Sequence, residues 1–327
     1  FHLWNVKRIH PEMLGPFDYE KEVYTTLLWV MEGLTSYYDT LVPCRAGLWS
    51  AEKYLKKTVD RIQKFEEKPG RRRQSLSASS FDTWIKLYQP NENAPNCQMS
   101  YYEKGELVGM CLDLEIRRLT ANRRSLDDVM RLLYREHGRD GKGFPEGEFR
   151  RACERIAGGS LGRFFRDYVD GTGEVPWNTF LGIAGLRIEK EPRKPEEGEA
   201  FRKAKPWLGI ITQKTGGAVS ILNVTEGGPA AKAGLSPKDD VIALDGARLN
   251  PDEFERRLDD YEPGDRVRFT LFRSGTLKEI PVVLGRKENV TWAIRKIKSA
   301  APAQKKVYEK WLSAKWEIKA KASGKRR

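Results

Sequence analysis

Tyr24, Leu27, Leu28, Met31, Thr35 and Tyr38 recur at intervals of three and four, the spacing that lines one face of a helix, and Glu32 lies beside that stripe. The same period predicts a helix over 51–65 that stops at Pro69-Gly70, and another following Tyr102 through Leu107, Cys111, Leu114 and Leu119. Ser125-Leu126-Asp127-Asp128 has the form of a capping box for a helix toward Glu136. Pro145 stands where a first helical residue would, ahead of Phe149, Cys153 and Ile156. Ser160 is placed to cap a further helix carrying Phe164, Phe165 and Tyr168. Residues 1–188 are therefore predicted to be mostly helical.

Between 189 and 205 the pattern stops. Glu-Lys-Glu-Pro-Arg-Lys-Pro-Glu-Glu-Gly offers almost nothing to bury, and the stretch reads as a linker. Beyond it come short β-type runs at 209–212, 218–224, 240–244, 266–272 and 279–284, separated by Gly-rich turns and interrupted by one helix over 251–261. Residues 206–286 thus form a small α+β module. After it, 287–327 reads as a basic helical tail.

Composition narrows the picture. The 327 residues are 39% apolar and 32% charged, enough for two domains with their own cores. No run approaches eighteen uninterrupted apolar residues, so no transmembrane segment is expected in this stretch. The net charge is +13, but 286–327 alone carries 14 Lys and Arg against 3 Glu. The basicity belongs to the tail, which is expected to be a solvated, partly frayed helix, and no nucleic-acid partner is expected. Trp311 and Trp316 among the tail lysines leave an anionic membrane contact as the alternative. Cys44, Cys97, Cys111 and Cys153 have no Cys-x-x-Cys spacing, so neither a zinc ribbon nor a disulfide framework follows.

The chemistry gathers around His2, Glu32 and Tyr102. A neutral imidazole and a carboxylate suit Zn²⁺, the carboxylate lowering the net charge of the cation. A tyrosine hydroxyl suits an oxyanion that develops during attack on a peptide carbonyl. Zinc brings the pKa of a bound water to ~7, so that a nearby glutamate can deprotonate it. The runs Phe1-His2-Leu3-Trp4-Asn5-Val6-Lys7-Arg8-Ile9, Leu28-Trp29-Val30-Met31-Glu32-Gly33-Leu34-Thr35-Ser36-Tyr37-Tyr38 and Ser100-Tyr101-Tyr102-Glu103-Lys104-Gly105 resemble the glycyl aminopeptidase family of gluzincin metallopeptidases. So do Leu14 to Tyr19, Ser79 to Lys86 and Ser125 to Arg131.

The resemblance implies a thermolysin-like, largely helical catalytic domain, one zinc ion, and removal of small N-terminal residues such as Gly and Ala from peptide or protein substrates. His2 and Glu32 match the family's second and third zinc ligands, and Tyr102 the tyrosine that binds the tetrahedral intermediate. The first histidine and the catalytic glutamate of the His-Glu-x-x-His motif are expected just before Phe1, so these residues alone are expected to be inactive. Thr35, one turn after Glu32, is expected either to donate a hydrogen bond to that carboxylate or simply to pack. Tyr101 is set aside because the Glu-Lys-Gly that follows fixes the register on Tyr102.

His10 and His137 have no partner at ligand spacing and read as surface residues. Residues 136–148 hint at a calcium loop, but Gly138 and Gly147 would fill positions that need carboxylates.

Pro206-Trp207-Leu208-Gly209-Ile210, then Gly227-Gly228-Pro229-Ala230-Ala231-Lys232-Ala233-Gly234-Leu235, then Asp240-Val241-Ile242-Ala243-Leu244-Asp245-Gly246 resemble a bacterial PDZ domain of the kind attached to proteases. An extended peptide would add a strand along 209–212, with the amides near Leu208 and Gly209 holding its terminal carboxylate. Ile210, Phe254 and Leu258 are expected to line the groove. Two alternatives remain at this point: a degenerate module that binds nothing, and a non-catalytic PDZ adaptor whose biological job is peptide binding.

Overall fold

The helix Tyr101–Leu119 is the axis of the helical part, buried around most of its circumference from Tyr101 and Lys104 to Ile116 and Arg117. Such a helix must be covered on all sides. The computed structural model describes residues 1–16, 18–195 and 201–317. Against this axis lies the segment carrying Glu32, where a π-helical turn, Trp29–Gly33, runs into the α-helix Leu34–Arg45. The crossing depends on two glycines. A Cβ on Gly33 would stand 2.6 Å from Cα of Gly105, and one on Gly105 would stand 2.9 Å from Cα of Gly33. Any larger residue forces the backbones apart.

Several expected elements are present, some with shifted ends. Ala51–Glu66 forms a helix whose N-cap, Ser50, accepts the Lys53 amide. Leu126–Leu133 starts with a capping box between Ser125 and Asp128 and ends in a π-turn, Tyr134–Gly138. Pro145 is not a first helical residue. The helix begins at Glu148, after left-handed Gly147 (φ 84°). The turn so formed lets Glu146 accept hydrogen bonds from Thr25 Oγ1 (2.9 Å), the Thr26 amide (3.1 Å) and Thr26 Oγ1 (2.7 Å). It thereby fastens the chain just ahead of the Glu32 turn. Ser160 Oγ accepts the Gly162 amide at 3.1 Å and opens the short turn that buries Phe164 and Phe165.

The PDZ-like module is an antiparallel sheet of β3 (Ile210–Thr215), β4 (Ala218–Val224), β5 (Asp240–Leu244), β7 (Arg266–Arg273) and β8 (Thr276–Val283) in that order. The short β6 (Ala247–Arg248) pairs with β5. The helix expected over 251–261 contracts to a 3₁₀ turn, Pro251–Glu253, followed by Phe254–Leu258.

Both flanks of this module differ from the sequence expectation. Both ends of the expected linker belong to strands, β1 (Leu186–Pro192), which pairs with β10 (Val290–Lys296), and β2 (Ala204–Trp207), which pairs with β9 (Gly285–Glu288). Lys190 and Glu191 lack apolar neighbours in sequence but meet Trp292 and Arg295 across the ladder. Residues 196–200 lie outside the described residues. The tail is likewise no solvated helix. Pro302–Leu312 buries Val307, Tyr308, Trp311 and Leu312 in the same core as the helical part, so the chain crosses the module and returns. Residues 318–327 of the tail lie outside the described residues.

Candidate functional site

Residues 1–9 form a tight series of turns rather than a helix. The amides of Trp4 and Asn5 donate to the Phe1 carbonyl at 2.9 and 3.1 Å, and Val6 closes onto Ile9 at 2.8 Å. Val6 adopts φ 88°, a left-handed conformation costly for a β-branched residue. Phe1 stacks on Tyr38 with centroids 4.5 Å apart, which lays the segment over the helix that follows Glu32. His2 Nε2 then lies 3.2 Å from Glu32 Oε2, and its Nδ1 is 3.4 Å from the Asn5 carbonyl. The imidazole is half exposed and the carboxylate a quarter exposed, so the pair opens toward solvent.

Tyr102 is half-buried on the first turn of the axial helix, its ring stacked on Tyr101 at 4.6 Å. Its pKa is pushed up to about 12. Burial is the main cause, a hydrogen bond with Tyr101 works against it, and a hydrogen bond with Tyr88 and the negative charge of Glu32 add to it. Tyr88 and Tyr101 hydroxyls are 3.3 Å apart, and burial pushes Tyr101 up as well.

Of the two expectations for Thr35, the structure shows packing. Its hydroxyl donates to the Met31 carbonyl at 2.6 Å and accepts from Asn5 Nδ2 at 3.2 Å, so it turns into the core and not toward the Glu32 carboxylate. The bond to Met31 is the ordinary i−4 contact of a helical threonine, and Ser36 makes the same contact with the Glu32 carbonyl.

The remaining histidines, His10 and His137, are both partly exposed. Among the described residues, the one group of three metal-capable side chains is Glu136, His137 and Glu148. Arg155 already bridges its carboxylates, at 2.6 Å to Glu136 and 2.9 Å to Glu148, which makes the cluster an ion-pair network.

In the PDZ-like module, Gly209 has φ +78°, and a Cβ there would meet the Trp207 ring at 3.1 Å. The Leu208 carbonyl accepts the Ala230 amide (3.0 Å) and the Gly209 carbonyl the Thr225 amide (2.8 Å). The Leu208 and Gly209 amides themselves donate to no acceptor among the described hydrogen bonds. Ile210 is half-buried at the start of β3, the end strand of the sheet. Phe254 and Leu258 are buried in the module's own core together with Leu208, so they back the groove from beneath.

Two features had no clear signal in the sequence. Asn5 is wholly buried and bonded to the Glu32 turn. A cavity of about 1090 Å³ lies between the two parts of the molecule, with Pro69 and Met99 on one side, Trp207 and Ile210 on the other, and Trp292 from β10.

Residues 1–108 match the family model described as M61 glycyl aminopeptidase, and residues 206–284 match a PDZ domain model. An aminopeptidase N family protein from Idiomarina loihiensis superposes with a TM-score of 0.83 and 30% identity, covering 95% of this chain and 53% of that protein. A serine protease Do-like HtrA of Bacillus subtilis is 29% identical over 114 residues, 34% of this chain and 24% of the relative. The chain thus spans about half of the length of its aminopeptidase neighbour.

Proposed function

We propose that this chain, which carries an M61 glycyl aminopeptidase domain at its N-terminus and a PDZ domain over 206–284, supplies part of the active site of a zinc aminopeptidase of the gluzincin type, together with a module that binds peptide C-termini. The observation that carries this reading is the contact between His2 and Glu32. With Nδ1 donating to the Asn5 carbonyl, the lone pair of Nε2 faces an anionic oxygen at 3.2 Å, an arrangement that calls for a proton or a cation between them. Ligands on tetrahedral zinc, with bonds of ~2.0–2.1 Å, are ~3.3 Å apart, which fits this separation.

Zinc bound there would act as a Lewis acid and acidify a bound water. The residues of the chain do the rest. His2 and Glu32 hold the cation. The Tyr102 hydroxyl, kept protonated by burial and by the field of Glu32, donates to the oxyanion of the substrate carbonyl, a contribution of about 3 kcal/mol by comparison with other oxyanion donors. The glycyl and alanyl preference, the thermolysin-like form of the catalytic domain and the bacterial type of the PDZ domain rest on the family resemblance. The free Leu208 and Gly209 amides support carboxylate capture at the PDZ domain.

No third metal-capable side chain joins His2 and Glu32 among the described residues. Two protein ligands hold zinc weakly, and by the resemblance the first histidine and the general base are not among these residues. The 327-residue chain is therefore expected to bind zinc with low affinity and to release no p-nitroaniline from Gly-p-nitroanilide. Glu32→Gln and His2→Ala should each weaken zinc retention at least tenfold. Zinc binding unchanged by both substitutions would remove the peptidase reading and leave the PDZ adaptor.

A further inference from the structure

Asn5 is 0% exposed and lies three residues after His2. Its Nδ2 shares its two hydrogens among three acceptors, the Val30 carbonyl at 2.9 Å, the Met31 carbonyl at 2.9 Å and Thr35 Oγ1 at 3.2 Å, while its Oδ1 is buried without a partner among the described residues. Those carbonyls belong to the π-turn Trp29–Gly33, which the Leu34 amide closes onto the Trp29 carbonyl. A buried side-chain amide that reaches two successive carbonyls of one turn ties that turn to its own segment. The backbone carbonyl of the same residue faces His2 Nδ1 at 3.4 Å. One asparagine therefore touches the imidazole through its main chain and the Glu32 turn through its side chain.

We infer that Asn5 is the positioning residue of the His2–Glu32 pair: its side chain holds the π-turn that presents Glu32, and its carbonyl, facing Nδ1, orients the His2 ring with Nε2 directed at that carboxylate. The left-handed backbone at Val6 supports this. A β-branched residue stays at φ 88° only where its surroundings over-determine it, and the buried side chain immediately before it is the anchor. Thr35 completes the arrangement. By donating to the Met31 carbonyl it leaves its own lone pair for Asn5, so the threonine acts on Glu32 through the turn.

Among the described residues no other side chain does both jobs. Trp4 and Phe1 hold the segment by ring contacts, which fix its place without fixing a tautomer. Asp cannot replace Asn5, because a carboxylate has no donor for the two carbonyls, and burying it beside them would be repulsive.

This inference rests on the zinc reading, and the experiment separates the two. Wild type, Asn5→Ala, Thr35→Val and Ile62→Ala are compared by long-range ¹H–¹⁵N spectra of the His2 ring in metal-free protein and by zinc competition against a chelator. Ile62→Ala serves as a control for loss of stability, since Ile62 is a core residue on the helix Ala51–Glu66, which holds none of the site residues. The wild-type ring should show one tautomer and not an average of two in alkaline buffer. In Asn5→Ala both ring nitrogens should move toward the averaged shifts of a free imidazole, with zinc affinity falling 10–100-fold. Thr35→Val should move both readouts in the same direction by a smaller amount, and Ile62→Ala should move neither.

If Asn5→Ala fails to fold, Thr35→Val decides: a wild-type tautomer and a zinc affinity within twofold of wild type would overturn the inference. The same result in a folded Asn5→Ala would do so too. Absence of zinc binding by wild type, with the tautomer shift intact, would remove the zinc reading while leaving the positioning role standing.

Discussion

At the scale of single residues, the same short run that carries Tyr102 hides a second unusual group. Lys104 is 1% exposed, and its ammonium reaches the Gly171 carbonyl at 3.4 Å with no carboxylate among its described partners. Burial pulls its pKa down from 10.5 to about 8. The unfolded chain keeps the ordinary value, so between pH 8 and 10.5 the unfolded state binds the greater number of protons, and the contribution of Lys104 to stability rises with pH through that window. The cationic form is the one that costs stability, and its cost is fully present below pH 8.

Lys104→Met should therefore be more stable than wild type at pH 7.5. Its advantage should shrink by about 2 kcal/mol by pH 9.5. Urea unfolding of both proteins at the two pH values measures this. The buried thiols of Cys111 and Cys153, pushed up by burial, act oppositely but equally in both proteins. An advantage that stays constant with pH would show that water or a partner already solvates the amine.

What the sequence made legible at this scale was residue type at a spacing: an imidazole and a carboxylate thirty positions apart, and a tyrosine before Glu-Lys-Gly. Asn5 and the direction of the Thr35 hydroxyl were not legible. Both depend on which backbone carbonyls a side chain reaches, and side-chain periodicity does not record that.

At the scale of elements, periodicity located the helices but could not distinguish an α-turn from a π-turn, because the apolar stripe is the same in both for a single turn. The capping box at Ser125 was legible because its donors and acceptors are all local. Pro145 misled because Glu146 is engaged with Thr25 and Thr26, more than a hundred residues away, and the helix start moves to accommodate it. The close approach of the Glu32 turn to the axial helix gives a direct test of how these elements are held. A methyl group on Gly33 would lie 2.6 and 2.8 Å from backbone atoms of Gly105 and 2.9 Å from the Tyr101 carbonyl, none of which is the end of a flexible side chain. Gly33→Ala should destabilise by about 1–3 kcal/mol. Gly182→Ala, in a helix with nothing within 4 Å of the new methyl, should be neutral or gain up to ~1 kcal/mol. Paired urea titrations would read the two substitutions, and equal costs would mean that the glycine crossing is not what sets the interhelical distance.

At the scale of the whole molecule, local composition was a poor guide, since charge masked burial twice. Lysines surround the stripe Val307, Tyr308, Trp311 and Leu312, yet Trp311 Nε1 donates to the Tyr37 hydroxyl at 2.8 Å deep inside the helical core. The charged stretch after Leu186 finds its strand partner only a hundred residues later. The PDZ domain consequently hangs between two paired strands, and a further set of contacts fixes it against the helical part. Asn96 Nδ2 donates to the Val224 carbonyl at 2.8 Å, and its Oδ1 accepts the Glu226 amide at 3.0 Å. Asn223 Nδ2 reaches the Glu92 carbonyl at 2.8 Å, and Arg73 pairs with Glu226 at 2.7 Å. The exposed ion pair adds little, whereas two hydrogen bonds from one mostly buried asparagine contribute about 1–2 kcal/mol to docking. Asn96→Ala removes both. Its expected signature is local: exchange of the Glu226 amide hydrogen should accelerate about tenfold or more, because 1.4 kcal/mol corresponds to a factor of ten, while amides in the β7 ladder keep their wild-type rates. Hydrogen exchange read residue by residue distinguishes this from general loss of stability. An unchanged rate at Glu226 would mean that the paired strands alone hold the domain.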